Sequence, residues 1–260
     1  MQRLIALLYG VSAYLFSFAA FLYLIGFLGD LYVPKTVDSV PSGPLAVSIV
    51  IDLLLLAAFA LQHSVMARQG FKRRWTQLVP PAVERSTYIV ATSLALILIF
   101  WQWRPIPRVL WDVRGSGPGA VLNVLFWAGW ATVLTSTFLT GHLTMFGVRQ
   151  VWDNFCGQKL DPSPFRTPGL YRVVRHPLYL GFVVAFWAAP VMTAGHLLIS
   201  VGFTSYVLMG IYFEERDLVA HYGQLYRDYS ARVPMLVPFL KRQAEPMEQT
   251  NRERRAAGGC

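Results

Sequence analysis

Six stretches of the chain are almost wholly apolar: 4–28, 45–65, 88–103, 120–139, 178–192 and 197–213. A helix that crosses a bilayer core needs about 20 predominantly apolar residues. The first, second and fourth stretches reach that length, and the third and fifth are short for it. The pattern predicts an all-α, polytopic membrane helical bundle with about five to six membrane segments. The first stretch is too long for a signal-peptide core and has no small-residue cleavage site before Asp30, so it reads as a retained span. The last two are separated only by Thr193, Ala194, Gly195 and His196. That link predicts a tight antiparallel C-terminal helical hairpin, with Pro190 kinking or ending its first arm.

The polar stretches between these runs set the orientation. Arg68, Lys72, Arg73, Arg74 and Arg85 lie between the second and third runs. Arg149, Lys159, Arg166, Arg172 and Arg175 lie between the fourth and fifth, and Arg216, Arg227, Arg232, Lys241 and Arg242 follow the sixth. Basic loops are retained on the cytoplasmic side. All three groups and both termini are therefore expected there, with six crossings. The 104–114 loop is less basic, and Trp101, Trp103 and Trp111 suit an aromatic belt at the opposite interface. The stretch 141–177 is too long and polar for a simple connector. The division expected is an N-terminal transmembrane bundle over 1–140, a structured functional region over 141–240 and a disordered tail over 241–260.

Composition agrees with a membrane chain. Of 260 residues, 55% are hydrophobic and 14% charged, against about 25% charged in soluble domains. The net charge of +9 follows from the basic loops, so it does not imply nucleic acid. Cys156 and Cys260 are far apart and make neither a disulfide framework nor a metal site. The partners expected are the lipid bilayer and a small molecule, and the oligomeric state is left open.

Two short motifs carry candidate chemistry. Pro177 sits where the fifth helix should start, a position that proline favours. It places Arg175 and His176 at a helix N-terminus, which attracts anions; the alternative is an ordinary positive cap on a span. Glu214 and Glu215 stand at the far end of the same hairpin, near Arg175 and His176 if both arms cross. Paired acids at a helix C-terminus oppose the helix dipole and need a compensating partner. That partner is either a ligand or Arg175 or Arg172 fastening the hairpin. Tyr222, Tyr226 and Tyr229 recur at helical spacing behind the acids, as an amphipathic C-terminal helix or a lid. Asp52, Leu56, Phe59 and His63 share a helical face in the second run. There Asp52 and His63 are either intramembrane functional groups or simply bonded to neighbours. His142 opens the polar stretch after the fourth run.

The spacing Thr167-x-Gly169-x-Tyr171-x-x-x-Arg175-His176-Pro177-x-Tyr179-x-Gly181, then Glu214-Glu215-x-x-Leu218, then Gly223-x-x-Tyr226-x-x-Tyr229-x-x-Arg232-Val233-Pro234, resembles the isoprenylcysteine carboxyl methyltransferase superfamily. The segments His63-Ser64-x-Met66-Ala67, Glu84-Arg85-Ser86-x-Tyr88 and Phe146-Gly147-x-Arg149-Gln150-Val151-Trp152 are similar to a bacterial branch of it, which holds the NnrU-like membrane proteins and the methanethiol S-methyltransferases. So is the run from Pro164 to Tyr171. The resemblance implies an enzyme of the bacterial inner membrane that transfers a methyl group in line from S-adenosylmethionine to a small volatile thiol, giving dimethyl sulfide. It places the active site on the cytoplasmic face and needs no metal. It implies cofactor contacts at Tyr171, Arg175, His176, Tyr179, Gly181, Glu214 and Glu215. Arg175 would orient the cofactor carboxylate, and Glu214 would bind its ammonium or ribose. His142 and His63 are the candidates for deprotonating the thiol. Carboxyl methyltransferases often carry a histidine where this chain has Ser163, a departure that bears on one cofactor contact or on the substrate class. The alternatives are an NnrU-like membrane protein of nitrogen-oxide metabolism that is not an enzyme, a methyltransferase of lipid or prenylcysteine acceptors, and a nicotinamide-dependent membrane reductase.

Overall fold

The computed structural model describes residues 1–40, 43–158, 165–238 and 240. Ser163, Lys159 and the 241–260 tail lie outside them. The architecture is a polytopic helical membrane bundle. Among the described residues, five helices are long and apolar enough to cross a bilayer: α1 (Gln2–Gly29), α2 (Leu45–Ala67), α4 (Pro81–Gln102), α5 (Gly117–Thr140) and α9 (Ala194–Tyr222). A short α3 (Gln69–Trp75) follows α2. The polar stretch after α5 folds into α6 (His142–Met145), α7 (Val148–Cys156) and a 3₁₀ turn over Gly169–Arg172. The chain then forms α8 (Pro177–Trp187), and α10 (Gln224–Arg232) ends the helical part.

The fifth run is where the sequence expectation and the structure part. α8 has 11 residues, about 16 Å of helix, half the thickness of a bilayer core. The helix ends at Trp187, before Pro190, and the hairpin is not closed by a four-residue turn. After an irregular stretch over 188–190, strand β2 (Val191–Thr193) pairs antiparallel with β1 (Val109–Asp112). Further bonds continue the ribbon: Val113 N–H to Pro190 O, Ala194 N–H to Arg108 O and Gly195 N–H to Ile106 O. Non-helical backbone near a membrane core is tolerated only when its polar groups are satisfied internally. This ribbon satisfies them.

Small residues let α8 approach α5. A Cβ on Gly129 would stand 2.7 Å from the Ala185 nitrogen, and one on Gly181 would stand 2.7 Å from the Gly129 oxygen. The core joins Phe27 of α1, Phe59 of α2, Ile99 of α4, Trp130 of α5, Phe186 of α8 and Ile199 of α9. α7 lies across the basic end of the bundle, with the buried Val151 seated on Gly10 of α1.

α9 also differs from the expected 197–213 run. It continues to Tyr222 through residues of good helix propensity and stops at Gly223, whose φ of +58° suits glycine. Glu214 and Glu215 therefore lie inside the helix, two turns before its end. The dipole argument for their needing a partner falls away, and side-chain contacts decide their roles.

Candidate active site

The acids and the Arg175-His176 pair do meet. Arg175 Nε donates to Glu215 Oε1 at 2.8 Å, and His176 Nε2 lies 3.0 Å from the same oxygen. Arg175 Nη1 donates to the Ser230 and Val233 carbonyls at 2.8 and 2.9 Å. The backbone N–H groups of Arg175 and His176 donate to Pro234 O and Met235 O. The Arg175 guanidinium, 9% exposed, thus ties α10 and the chain after it to the base of the hairpin. The helix N-terminus that looked open to an anion is largely taken up by the protein's own C-terminal segment.

Glu214 is placed differently from its neighbour. It accepts one bond, from Tyr179 Oη at 2.8 Å, and His176 Nδ1 is 3.9 Å away. Its side chain is 43% exposed, against 26% for Glu215. It is a carboxylate with most of its acceptor capacity unspent.

Around these groups the C-terminal tyrosines form a wall. Phe165 packs its ring on Tyr222, Tyr226 and Tyr229, with centroids 5.0–6.1 Å apart. Tyr229 Oη donates to Tyr171 O at 2.6 Å. Tyr226 is 2% exposed and its hydroxyl has no partner among the described residues. A buried unpaired hydroxyl costs free energy, so this one marks a place for a ligand or water. Burial pushes the Tyr171 and Tyr229 phenols up to about 12 and the Tyr226 phenol higher still. All three remain proton donors at neutral pH. Among the described residues no cluster of His, Cys, Asp or Glu could hold a metal.

The donor set fits S-adenosylmethionine. A carboxylate with free acceptor capacity suits its ammonium or ribose hydroxyls, the unpartnered phenol suits an anionic or ring-nitrogen acceptor, and aromatic faces suit both an adenine and a sulfonium.

The NnrU family model, described as NnrU protein, matches residues 52–237. The chain belongs to the NnrU family. It is 54% identical over 239 residues to a Mycobacterium tuberculosis protein named methanethiol S-methyltransferase, covering 92% of this chain and 98% of that one. Methanethiol S-methyltransferase 1 of Bradyrhizobium diazoefficiens is 52% identical over 237 residues, covering 91% and 83%. Nurim of Rattus norvegicus is 30% identical over 186 residues, covering 68% and 70%. No solved structure matches.

The other candidate residues of this NnrU chain are dispersed. Gly181 faces α5 in the close helix crossing, at Gly129 and Val133. Asp52 is fully buried at the opposite end of the bundle, where its Oδ1 accepts the Arg104 N–H at 2.8 Å. His142 is buried between α1 and α5, and burial pulls its pKa down. His63 bonds Tyr88 and Thr92 of α4 inside the bundle. Tyr226 and Phe165 stand in the motifs quoted above, but that the Tyr226 hydroxyl lacks a partner among the described residues and that Phe165 packs on three tyrosines depend on contacts across dozens of residues.

Proposed function

We propose that this chain is a membrane methyltransferase that converts methanethiol to dimethyl sulfide with S-adenosylmethionine, acting at the cytoplasmic face of the bacterial inner membrane. The observation that carries the reading is the likeness over nine-tenths of the chain to proteins named for that reaction. Residues 141–240 form the cofactor-binding region in this reading.

When bound, the cofactor supplies a methyl group on a positively charged sulfur. Glu214 anchors the cofactor's ammonium or ribose, held in place by Tyr179. Tyr226 donates to a second polar group of the same ligand. Arg175, His176 and Glu215 hold α10 closed, so that Phe165, Tyr222 and Tyr229 exclude water from the reacting sulfur atoms. Exclusion of water favours a step in which opposite charges cancel, and alignment supplies much of the remaining rate. The methyl acceptor, small and apolar, reaches the site from the bilayer.

The test is headspace detection of labelled dimethyl sulfide after methanethiol and methyl-labelled S-adenosylmethionine are added to membranes holding the protein. Product well above empty membranes supports the reading. No product, from folded protein that binds cofactor, overturns the substrate assignment.

A further inference from the structure

A thiol is mostly protonated near neutral pH, and only the thiolate is a good nucleophile. Two buried histidines have the same local geometry. Thr92 Oγ1 donates to Tyr88 O at 3.0 Å, so its oxygen accepts the His63 Nδ1–H, also at 3.0 Å. His63 Nε2 is then left as an acceptor, and Tyr88 Oη lies 2.8 Å from it. At the other histidine, Thr137 Oγ1 donates to Leu134 O and accepts the His142 Nδ1–H, and Tyr14 Oη lies 3.0 Å from His142 Nε2. Both rings are neutral acceptors for a tyrosine proton. Their surroundings separate them.

His142 is closed in by aromatic rings, stacked on Phe138 at 4.6 Å with Phe146 at 4.8 Å and Tyr14 at 5.7 Å. His63 has ring neighbours too, stacked on Phe59 at 5.5 Å with Tyr88 at 5.0 Å, but its third neighbour, at 6.0 Å, is Tyr206 of α9, the helix that carries Glu214. His63 therefore packs on the helix that carries Glu214, whereas the rings around His142 belong to α1, α5 and the 138–146 stretch. The other charged or titratable groups around the pair are Arg85, over the Tyr88 ring at 5.1 Å, Glu84, and Arg68, close to Tyr206.

We infer that Tyr88, backed by His63 and seated by Thr92, takes the proton of the thiol substrate, and that His142 does not. The inference rests on the proposed thiol methylation. The thiol S–H proton passes to Tyr88 Oη as the Tyr88 proton passes to His63 Nε2, leaving a thiolate, a neutral tyrosine and an imidazolium. The thiolate sulfur forms a bond to the methyl carbon. The bond from that carbon to the donor sulfur breaks, and its electron pair stays on that sulfur. One proton per turnover remains on His63. The Arg85 guanidinium opposes this second positive charge, so His63 releases the proton once the thiolate is consumed.

The test uses the full-length protein in nanodiscs. With ¹⁵N-histidine labelling and sinefungin bound (an analogue with an ammonium in place of the sulfonium), addition of methanethiol should convert the His63 ring signal from neutral to imidazolium, and dimethyl sulfide should not. His63→Gln and Tyr88→Phe should each lower kcat/KM for methanethiol roughly 100-fold at pH 7. That deficit should shrink as pH rises and the thiol ionises by itself. A His63 signal that stays neutral with sinefungin and thiol bound overturns the inference, as does a deficit that is absent or equal at every pH. Wild-type protein that makes no dimethyl sulfide removes the function and this inference together, whereas wild-type product with an unresponsive His63 removes the inference alone.

Discussion

The α8–α9 hairpin carries a polar cluster at each end, and the two are completed to different degrees. At the ribbon end, the Thr193 hydroxyl accepts the His196 N–H as a helix cap and donates to Asp38. Asp38 faces the His196 ring at 3.8 Å, and His196 and Ser200 both reach Phe186 O. Each of these groups is answered by another part of the same protein. At the basic end, Arg175, His176 and Glu215 are answered in the same way, but Glu214 has a single partner in Tyr179 and the Tyr226 hydroxyl has none among the described residues. Both clusters pin the hairpin. Only one leaves polar capacity unspent in a partly enclosed place, and unspent capacity is what distinguishes a ligand site from a latch.

The widest separation between latch and site should come from Arg175→Ala. It leaves Glu215 without its cation and frees the Ser230 and Val233 carbonyls, at a cost of about 2–3 kcal/mol. Thermal unfolding in nanodiscs should show the loss, and hydrogen exchange should place it in α10. Protection of α10 equal to that of the parent protein would break the latch assignment. Glu214→Gln should do the reverse. Cofactor affinity, measured by sinefungin titration, should fall roughly 10- to 100-fold, in line with loss of a charge-assisted bond, with a stability change under about 0.5 kcal/mol. If Glu215→Gln weakens cofactor binding more than Glu214→Gln does, the roles of the two acids are exchanged.

Smaller effects sharpen the same contrast. Tyr226→Phe removes an unpartnered hydroxyl, so stability should hold or rise while cofactor affinity drops by about 1 kcal/mol. Asp38→Asn, at the ribbon end, should cost about 1 kcal/mol of stability and leave sinefungin affinity unchanged. The smallest signal is in pH. His142 has its pKa lowered by burial, so below about 6.5 the unfolded chain binds a proton that the folded one resists. Stability is then lost as pH falls below that value and stays constant above it. His142→Gln should flatten that acid limb without altering the pH dependence of kcat/KM.

Sequence periodicity and length were enough for the membrane bundle. An apolar run of 20 or more residues has few solutions in a bilayer other than a spanning helix. The Pro177 start of α8 was likewise legible, because the preference of proline for the first helical position is local. The paired motifs at the two ends of the hairpin pointed to one site for the same reason, since the chain leaves and returns on one side. The short α8 was not legible. Ala188, Ala189 and Val191 are as apolar as a helix would need, and the strand that follows them forms by pairing with the distant residues 109–112. Nor was the true end of α9, which is set by Gly223 rather than by the last apolar residue.

By itself, then, the sequence determined a membrane-spanning helical chain and pointed to Arg175, His176, Glu214, Glu215 and the C-terminal tyrosines as neighbours at one end. The tertiary structure decided what each of them does. Glu214 and Glu215 are adjacent and chemically identical, as are the rings of His63 and His142. They differ in partners that lie 25 to 128 residues away. Hydropathy and helical spacing are local sums along the chain. Whether a carboxylate is satisfied or a histidine enclosed depends on which distant side chain the packing of helices brings beside it.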